Sequence, residues 1–303
     1  MFEKHGAKKM ARMTGQKVRG IFGRRERLER KLRRQIKTGR ENNFKTRDGI
    51  EHSARIPLEI KDGYVLIGSD AHYWPGIITT AHRAFVKFAQ ELRPKAIIMN
   101  GDVLDGASIS RHPPIGWENR PSLEDEMDAC KERLKEIQQA APAAERIWTL
   151  GNHDGRFETR LATVAPEYAK IHGVHLKDHF PQWRACWSCW INDSVVIKHR
   201  WKGGDHATWN NTIRAGKTLI TGHLHKLEVR PYSDYNGTRY GVDTGTLAEP
   251  GGPQFLDYCE DNPVNWRSGF IVLRFVGGKM LRPQEVQVIG PDQVDYCNQA
   301  IAA

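Results

Sequence analysis

Long apolar runs are missing from this 303-residue chain, since no stretch of about 18 or more apolar residues occurs in it, and the sequence therefore offers no membrane-spanning helix. The basic N-terminus is not followed by an apolar run, so no secretory signal is read and the expected compartment is the cytoplasm. Cysteine is scarce and odd in number. Cys130, Cys186, Cys189, Cys259 and Cys297 are scattered too widely for a disulfide framework to organise the fold. Cys186 and Cys189 form a C-x-x-C amid tryptophans, but no second pair completes a four-thiolate zinc site, and buried packing is the preferred reading. Excess positive charge is absent from most of the chain. Residues 1–55 hold 18 Lys and Arg against six Asp and Glu, a net of +12, and the remainder holds 28 against 30, a net of −2. The overall +10 thus belongs to an N-terminal arm suited to an acidic partner. With 39% apolar and 27% charged residues, the rest is ordinary for a globular protein able to bury a sizeable core.

What is present is an arm, residues 1–55, followed by a domain, residues 56–303. In the arm the best periodic segment is 24–37, where Leu28, Leu32 and Ile36 make a thin apolar stripe on a basic helix. Beyond residue 63 the pattern turns to short β-rich runs at 64–68, 96–99, 147–150, 195–198 and 218–221, each ending in a polar cluster. Helical spacing lies between them, at 79–92 with Ala81, Phe85, Phe88 and Leu92 inward, and at 122–140 behind a Ser122-x-x-Asp125 cap pair. Strands alternating with helices predict an α/β core with ligands gathered beyond the carboxyl ends of strands. The last third, with extended runs at 240–247, 270–275 and 281–288 and a Gly277-Gly278 turn, suggests a second, more antiparallel sheet beside the first.

Each strand end delivers side chains that suit divalent metals. They are Asp70-Ala71-His72, Gly101-Asp102-Val103-Leu104-Asp105, Gly151-Asn152-His153-Asp154, then His199, then Gly222-His223-Leu224-His225. Singly, each has a plainer reading: a strand-terminal Asp caps a helix, G-D-x-x-D is a common turn, and an Asn after Gly adopts a left-handed conformation. Five such clusters in succession are not explained that way.

The series D-x-H, G-D-x-x-D, G-N-H-D, H, G-H-x-H resembles the signature of the calcineurin-like metallophosphoesterase superfamily, over residues 63–290. The resemblance implies a four-layer α/β/β/α sandwich with two metals at its apex. On that pattern Asp70, His72 and His225 hold one metal, Asn152, His199 and His223 hold the other, and Asp102 bridges them. His153 matches the non-ligand histidine that acts as general acid, with Asp105 as the carboxylate that orients it. Two divalent ions about 4 Å apart can share a carboxylate, acidify a bridging water and clamp a phosphate. Mixed oxygen and nitrogen donors favour manganese, iron, zinc or cobalt over calcium, and manganese is the expected pair of ions, with iron, zinc, cobalt or magnesium as alternatives.

Gly106 after Asp105 and Asp154 after His153 depart from the protein Ser/Thr phosphatases, which carry Arg-Gly and Glu there. The doubled histidine of the last motif resembles instead the branch of cyclic-nucleotide phosphodiesterases, DNA-repair nucleases and nucleotide hydrolases. Residues 108–114, 198–204 and 243–247 resemble phosphoesterases encoded by bacteriophages, which would put the chain in a host cytoplasm. Arg111, His112, Arg156, Arg200, Lys202 and His206 lie near these motifs as candidate phosphate contacts or plain surface charges. The expected activity is phosphodiester hydrolysis, with nucleic acid as the substrate that the basic arm favours. A phosphomonoesterase or small-nucleotide hydrolase with the same metals, and a scaffold that has lost the chemistry, are the alternatives. Assembly state is left open.

Overall fold

A computed structural model of the chain describes residues 10–32, 55–112 and 120–303. It divides into two units, Met1–Ile50 and Glu51–Ala303.

In the first unit, residues 10–14 are helical and α1 spans Val18–Leu32. The helix starts six residues ahead of Arg24, where the apolar spacing began, and residues 33–37 of the expected helix lie outside the described residues. Arg30 and Lys31 close its last turn, where cations meet the negative end of the helix dipole. Its buried side chain is Ile21, packed on Met10 and Ala11, whereas Leu28 and Leu32 of the expected stripe are exposed.

The second unit carries fifteen strands among the described residues. The first five are β1 (Ile56–Leu58), β2 (Gly63–Gly68), β3 (Ala96–Met99), β4 (Glu145–Thr149) and β5 (Arg184–Cys186). They are followed by β6 (Cys189–Ile191), β7 (Val195–Ile197), β8 (Thr218–Thr221), β9 (Glu228–Asp234) and β10 (Gly237–Asp243). The last five are β11 (Gly269–Val276), β12 (Lys279–Met280), β13 (Gln284–Gly290), β14 (Gln293–Tyr296) and β15 (Gln299–Ala302). Helices α2 (Thr80–Leu92), α3 (Leu123–Ala140), α4 (Asp154–Val164), α5 (Leu176–His179), α6 (Ala207–Ala215) and α7 (Leu256–Cys259) lie between them. The Ser122 cap forms as its spacing implied, with Oγ accepting from Asp125 N at 3.1 Å.

Two sheets result, one ordered β15-β14-β13-β11-β2-β3-β4-β5 with β12 beside β11, the other β1-β6-β7-β8-β10-β9. Side-chain alternation explains their stacking. Val65 and Ile67 of β2, Ile98 of β3 and Ile147 of β4 meet Ile197, Ile220 and Val242 of the other sheet, whereas Leu66, Ile97, Met99 and Trp148 turn to Phe85 and Phe88 of α2 and Leu134 and Ile137 of α3. Helix α6 covers β8, β9 and β10 on the far side. The order of layers is therefore α/β/β/α.

Of the three C-terminal runs, 240–247 contributes β10 to the second sheet, but 270–275 and 281–288 do not join it, contrary to what their alternation suggested. β11 pairs antiparallel with β2 and extends the first sheet, because it is apolar on both faces: Ile271, Leu273 and Phe275 point between the sheets, Phe270 and Val272 to the helices. The second sheet is built from β1 and residues 189–243. The expected run 281–288 is also broken, with pairing to β11 interrupted between Met280 and Gln284, where Pro283 has no N–H to give. Cys186 and Cys189 are buried in the core between the sheets, and burial pushes the Cys186 thiol up to about 12.

β2, β3 and β4 run parallel in one sheet, and β7, β8 and β10 in the other. Their carboxyl ends carry the polar motifs.

Candidate metal centre

The loops beyond these strand ends are tight and conformationally unusual. Five of the seven predicted ligands have positive φ, namely Asp70 (51°), His72 (39°), Asp102 (51°), His223 (74°) and His225 (57°). Such values cost a side-chain-bearing residue energy and persist only where the surroundings enforce them. Three glycines make room. A Cβ on Gly151 would lie 2.0 Å from Asp102 Oδ1, one on Gly101 2.4 Å from the His199 ring, and one on Gly222 2.5 Å from Asp70 Oδ2.

Six of the seven predicted ligands come together, and the seventh, Asn152, directly precedes His153 in the chain. Donor atoms of Asp70, His72 and His225 lie within 4.8 Å of one another, as do those of Asp102, His199 and His223, and a third overlapping group joins His72 and Asp102 to His153. Asp102 Oδ2 is 3.0 Å from His199 Nε2, and Asp70 Oδ1 is 3.1 Å from His225 Nε2. The free oxygens are tied down by backbone: Asp70 Oδ2 accepts from His223 N at 2.9 Å, and Asp102 Oδ1 from His153 N at 2.8 Å.

Several atoms at this centre are polar, buried and without a hydrogen-bond partner: His199 Nε2, His225 Nδ1 and Asn152 Oδ1. His199 Nε2 is close to Asp102 but makes no well-aligned hydrogen bond to it. Its Nδ1 faces Asn100 O at 2.8 Å, and His72 Nδ1 faces Asp105 Oδ1 at 2.7 Å, so both imidazoles turn Nε2 toward the centre. An unpaired imidazole nitrogen beside a carboxylate, together with a further unpaired imidazole nitrogen and amide oxygen, is a donor set that fits divalent cations. The electrostatics agree. Burial pushes the Asp102 carboxyl up, yet His199 and His153 hold it well below the carboxylate range; His199 is raised despite burial by Asp102 and Asp70. The carboxylates demand positive charge at this point.

His153 is the N-cap residue of α4 and presents Nδ1 to Asp105, 3.0 Å from its carbonyl and 2.9 Å from Oδ1. Asp105 Oδ1 therefore serves two imidazoles at once, His72 and His153. Burial lowers the His153 pKa, but Asp102 and Asp105 outweigh it and the net direction is upward. His153 Nε2 lies 4.0 Å from Asp102 Oδ2 and 3.2 Å from Arg156 NH2. Of the candidate phosphate contacts, Arg156 is brought onto this pair, whereas Arg111, His112, Arg200, Lys202 and His206 are exposed on loops.

Sequence reasoning missed the carboxylates that hold the loops. Asp154 accepts from Asp102 N, Val103 N and Leu104 N at 2.8, 3.0 and 3.2 Å, and also from Gly151 N and Trp148 Nε1. Glu126 of α3 accepts from Gly106 N at 2.6 Å and Ala107 N at 3.0 Å. Five amides of residues 102–107 thus end on two buried carboxylates. Burial, reinforced by Asp102, raises Asp154 to about 6; burial, reinforced by Asp105, raises Glu126 to about 7. Asp243, at the end of β10, accepts from Lys226 N at 2.9 Å and Gly245 N at 3.1 Å and so fixes the chain just after His225. The Asp154 role had a trace in the sequence, its place in the G-N-H-D motif; Glu126 had none. An aromatic wall was likewise unforeseen: Phe255 lies edge-on to His72 at 5.0 Å, and Trp266 to His225 at 4.4 Å.

No family model matches the chain. It is similar to phage proteins. The alignment with the gene 54 protein of Mycobacterium phage L5 is 25% identical over 228 residues, covering 69% of this chain and 87% of that protein. The gene 54 protein of Mycobacterium phage D29 is 25% identical over 231 residues with the same coverage. Among solved structures, the chain is similar to a dimetal phosphatase from Danio rerio, with TM-score 0.38, 10% identity and coverage of 75% of this chain and 96% of that one. The E. coli phosphoesterase YfcE gives TM-score 0.32, 12% identity and coverage of 73% and 97%. A Saccharomyces cerevisiae protein serine/threonine phosphatase gives 0.37, 11%, and coverage of 82% and 88%. These are distant likenesses, and the functional reading rests on the residues of the centre itself.

Proposed function

We propose that the chain is a metal-dependent phosphoric ester hydrolase that cleaves a phosphodiester, with nucleic acid as the substrate polymer and manganese as the first metal to test. The observation that carries this reading is the pair of donor groups around Asp70 and Asp102, with the orphaned atoms His199 Nε2, His225 Nδ1 and Asn152 Oδ1 beside them. Asp70, His72 and His225 would hold one ion, Asn152, His199 and His223 the other, and Asp102 both. Bound divalent ions would supply Lewis acidity toward the phosphoryl oxygens and acidify a water.

The protein's own groups supply orientation and a proton. Asp105 fixes the His72 imidazole so that Nε2 faces the centre, and it fixes His153 with Nε2 on the same side. His153 would give its Nε2 proton to the departing alkoxide, as a positioned general acid. The carboxylates of Asp154 and Glu126 hold Asp102 and Asp105 in register through the backbone.

The polymer is supported by charge. The +12 of residues 1–55 makes the N-terminal arm a basic attachment to the catalytic segment 56–303 of this reading, and the exposed Arg200-Trp201-Lys202 follows His199 directly. Similarity to mycobacteriophage proteins supports action in the cytoplasm of an infected bacterium. Among the described residues no helix is long and apolar enough to cross a membrane.

The test is a manganese titration of the full chain followed by melting temperature, then turnover of bis(p-nitrophenyl) phosphate, p-nitrophenyl phosphate and single- and double-stranded DNA. A melting temperature that rises with manganese, as linkage requires, and a preference for diester are expected. Turnover of the monoester alone would overturn the diester assignment. Deleting residues 1–50 should leave the small diester untouched and weaken DNA binding together with its salt dependence.

A further inference from the structure

The guanidinium of Arg156 stands against the group that handles the proton, in a way that a purely structural arginine would not need to. Arg156 is three residues beyond His153, so one turn of α4 places both side chains on the same face. NH1 donates to Asp105 O at 2.9 Å, and NH2 lies 3.2 Å from His153 Nε2. An arginine only donates, so NH2 can hold His153 Nε2 only while that nitrogen carries no proton, and the pairing has to be released before Nε2 can take up a proton from solvent and pass it on. Nε2 is also the nitrogen that points toward Asp102, 4.0 Å away. NH2 therefore occupies the position that a leaving-group oxygen must reach to receive a proton from His153.

The two occupants cannot share that position, and the guanidinium has somewhere to go. Its side chain is 22% exposed, and its stem passes Gly106, where a Cβ would already sit 3.4 Å from Arg156 Cδ. A planar fork of N–H donors matches the geometry of phosphoryl oxygens, and such charge-assisted bonds are stronger than the bond to a neutral imidazole. We infer that Arg156 is a substrate-contacting residue: it gives up His153 Nε2 when substrate arrives and donates to a non-bridging oxygen of the phosphoryl group. This rests on the phosphoesterase reading and adds to it the residue that recognises the phosphate and clears the path of the proton.

The experiment uses the full chain loaded with manganese, as wild type, Arg156→Ala and Arg156→Lys, with metal content measured in each. Binding of inorganic phosphate is followed by calorimetry, and KM and kcat are measured with bis(p-nitrophenyl) phosphate. Arg156→Ala should keep its metals while its phosphate dissociation constant and its KM rise about 10- to 100-fold, the value of one or two hydrogen bonds to a charged group. Arg156→Lys, which keeps a charge without the fork, should fall between. A lower kcat with unchanged phosphate affinity in both variants would mean that Arg156 merely props His153, and the inference would be wrong while the phosphoesterase reading stood. If the wild-type chain neither turns over the diester nor binds phosphate, both fall together.

Discussion

The loop after β3 and the loop after β7 each bring a predicted ligand to the centre, and they are built in opposite ways. Residues 101–107 are all buried, and five of their amides end on Asp154 and Glu126. Residues 200–206 are all exposed, and they include Arg200, Trp201 and Lys202. His199 itself is buried, but it is fixed by reaching back to Asn100 O beside the first loop. The buried loop is thus the reference against which the open one is aligned. Precision comes from one sheet, and open surface beside the centre from the other.

The strongest way to break this contrast is to remove its centre. Asp102→Ala should abolish retention of both ions, as read by metal analysis, and take turnover to the blank; full occupancy with normal turnover would end its bridging assignment. His153→Asn should instead keep both ions while turnover drops about 10²- to 10⁴-fold, less for esters with good leaving groups. Equal losses for activated and unactivated esters would remove His153 as the proton donor.

Asp154→Asn tests whether the buried loop is held electrostatically. The amide would put a donor either against Asp102 N, Gly151 N and Trp148 Nε1 or against Val103 N and Leu104 N, and metal affinity should weaken about 10- to 100-fold with His153 and every ligand still present. Unchanged affinity would show that packing alone suffices. The smallest pair of changes sharpens the comparison most directly. Gly151→Ala forces a methyl against Asp102 Oδ1 and should cost at least about 1–3 kcal/mol in thermal or chemical unfolding, whereas Gly203→Ala, in the open loop with nothing within 4 Å of a new Cβ, should stay within about 0.5 kcal/mol. Equal effects would erase the difference between the loops.

Much of the centre was legible because its chemistry is local. A strand end followed by Asp-x-His or Gly-Asn-His needs only a few letters, and the α/β core followed from short apolar runs alternating with helices, whereas the four-layer α/β/β/α order was implied only by the resemblance of the motif series. What was not legible depended on residues distant in sequence. Glu126 reads as one more acidic residue in the first turn of a helix, and only the fold places it under Gly106 and Ala107. β11 reads as half of a hairpin, and only its apolar character on both faces explains its place in the middle of the first sheet beside β2. Ile21 carries no such signal because it lies ahead of the apolar spacing that begins at Arg24, and its partners Met10 and Ala11 come from the preceding helical turn.

The close approach at Gly101, Gly151 and Gly222 has a consequence at the level of the gene. A glycine codon begins with two guanines, and every single-base change that alters its meaning encodes a residue with a Cβ or a stop. At these three positions that Cβ would press on the His199 ring, on Asp102 or on Asp70. No one-base change of meaning at those codons escapes that contact, so a variant that keeps the geometry of these ligands has to keep all three glycines, whereas the exposed loop after His199 carries no such restriction at Gly203.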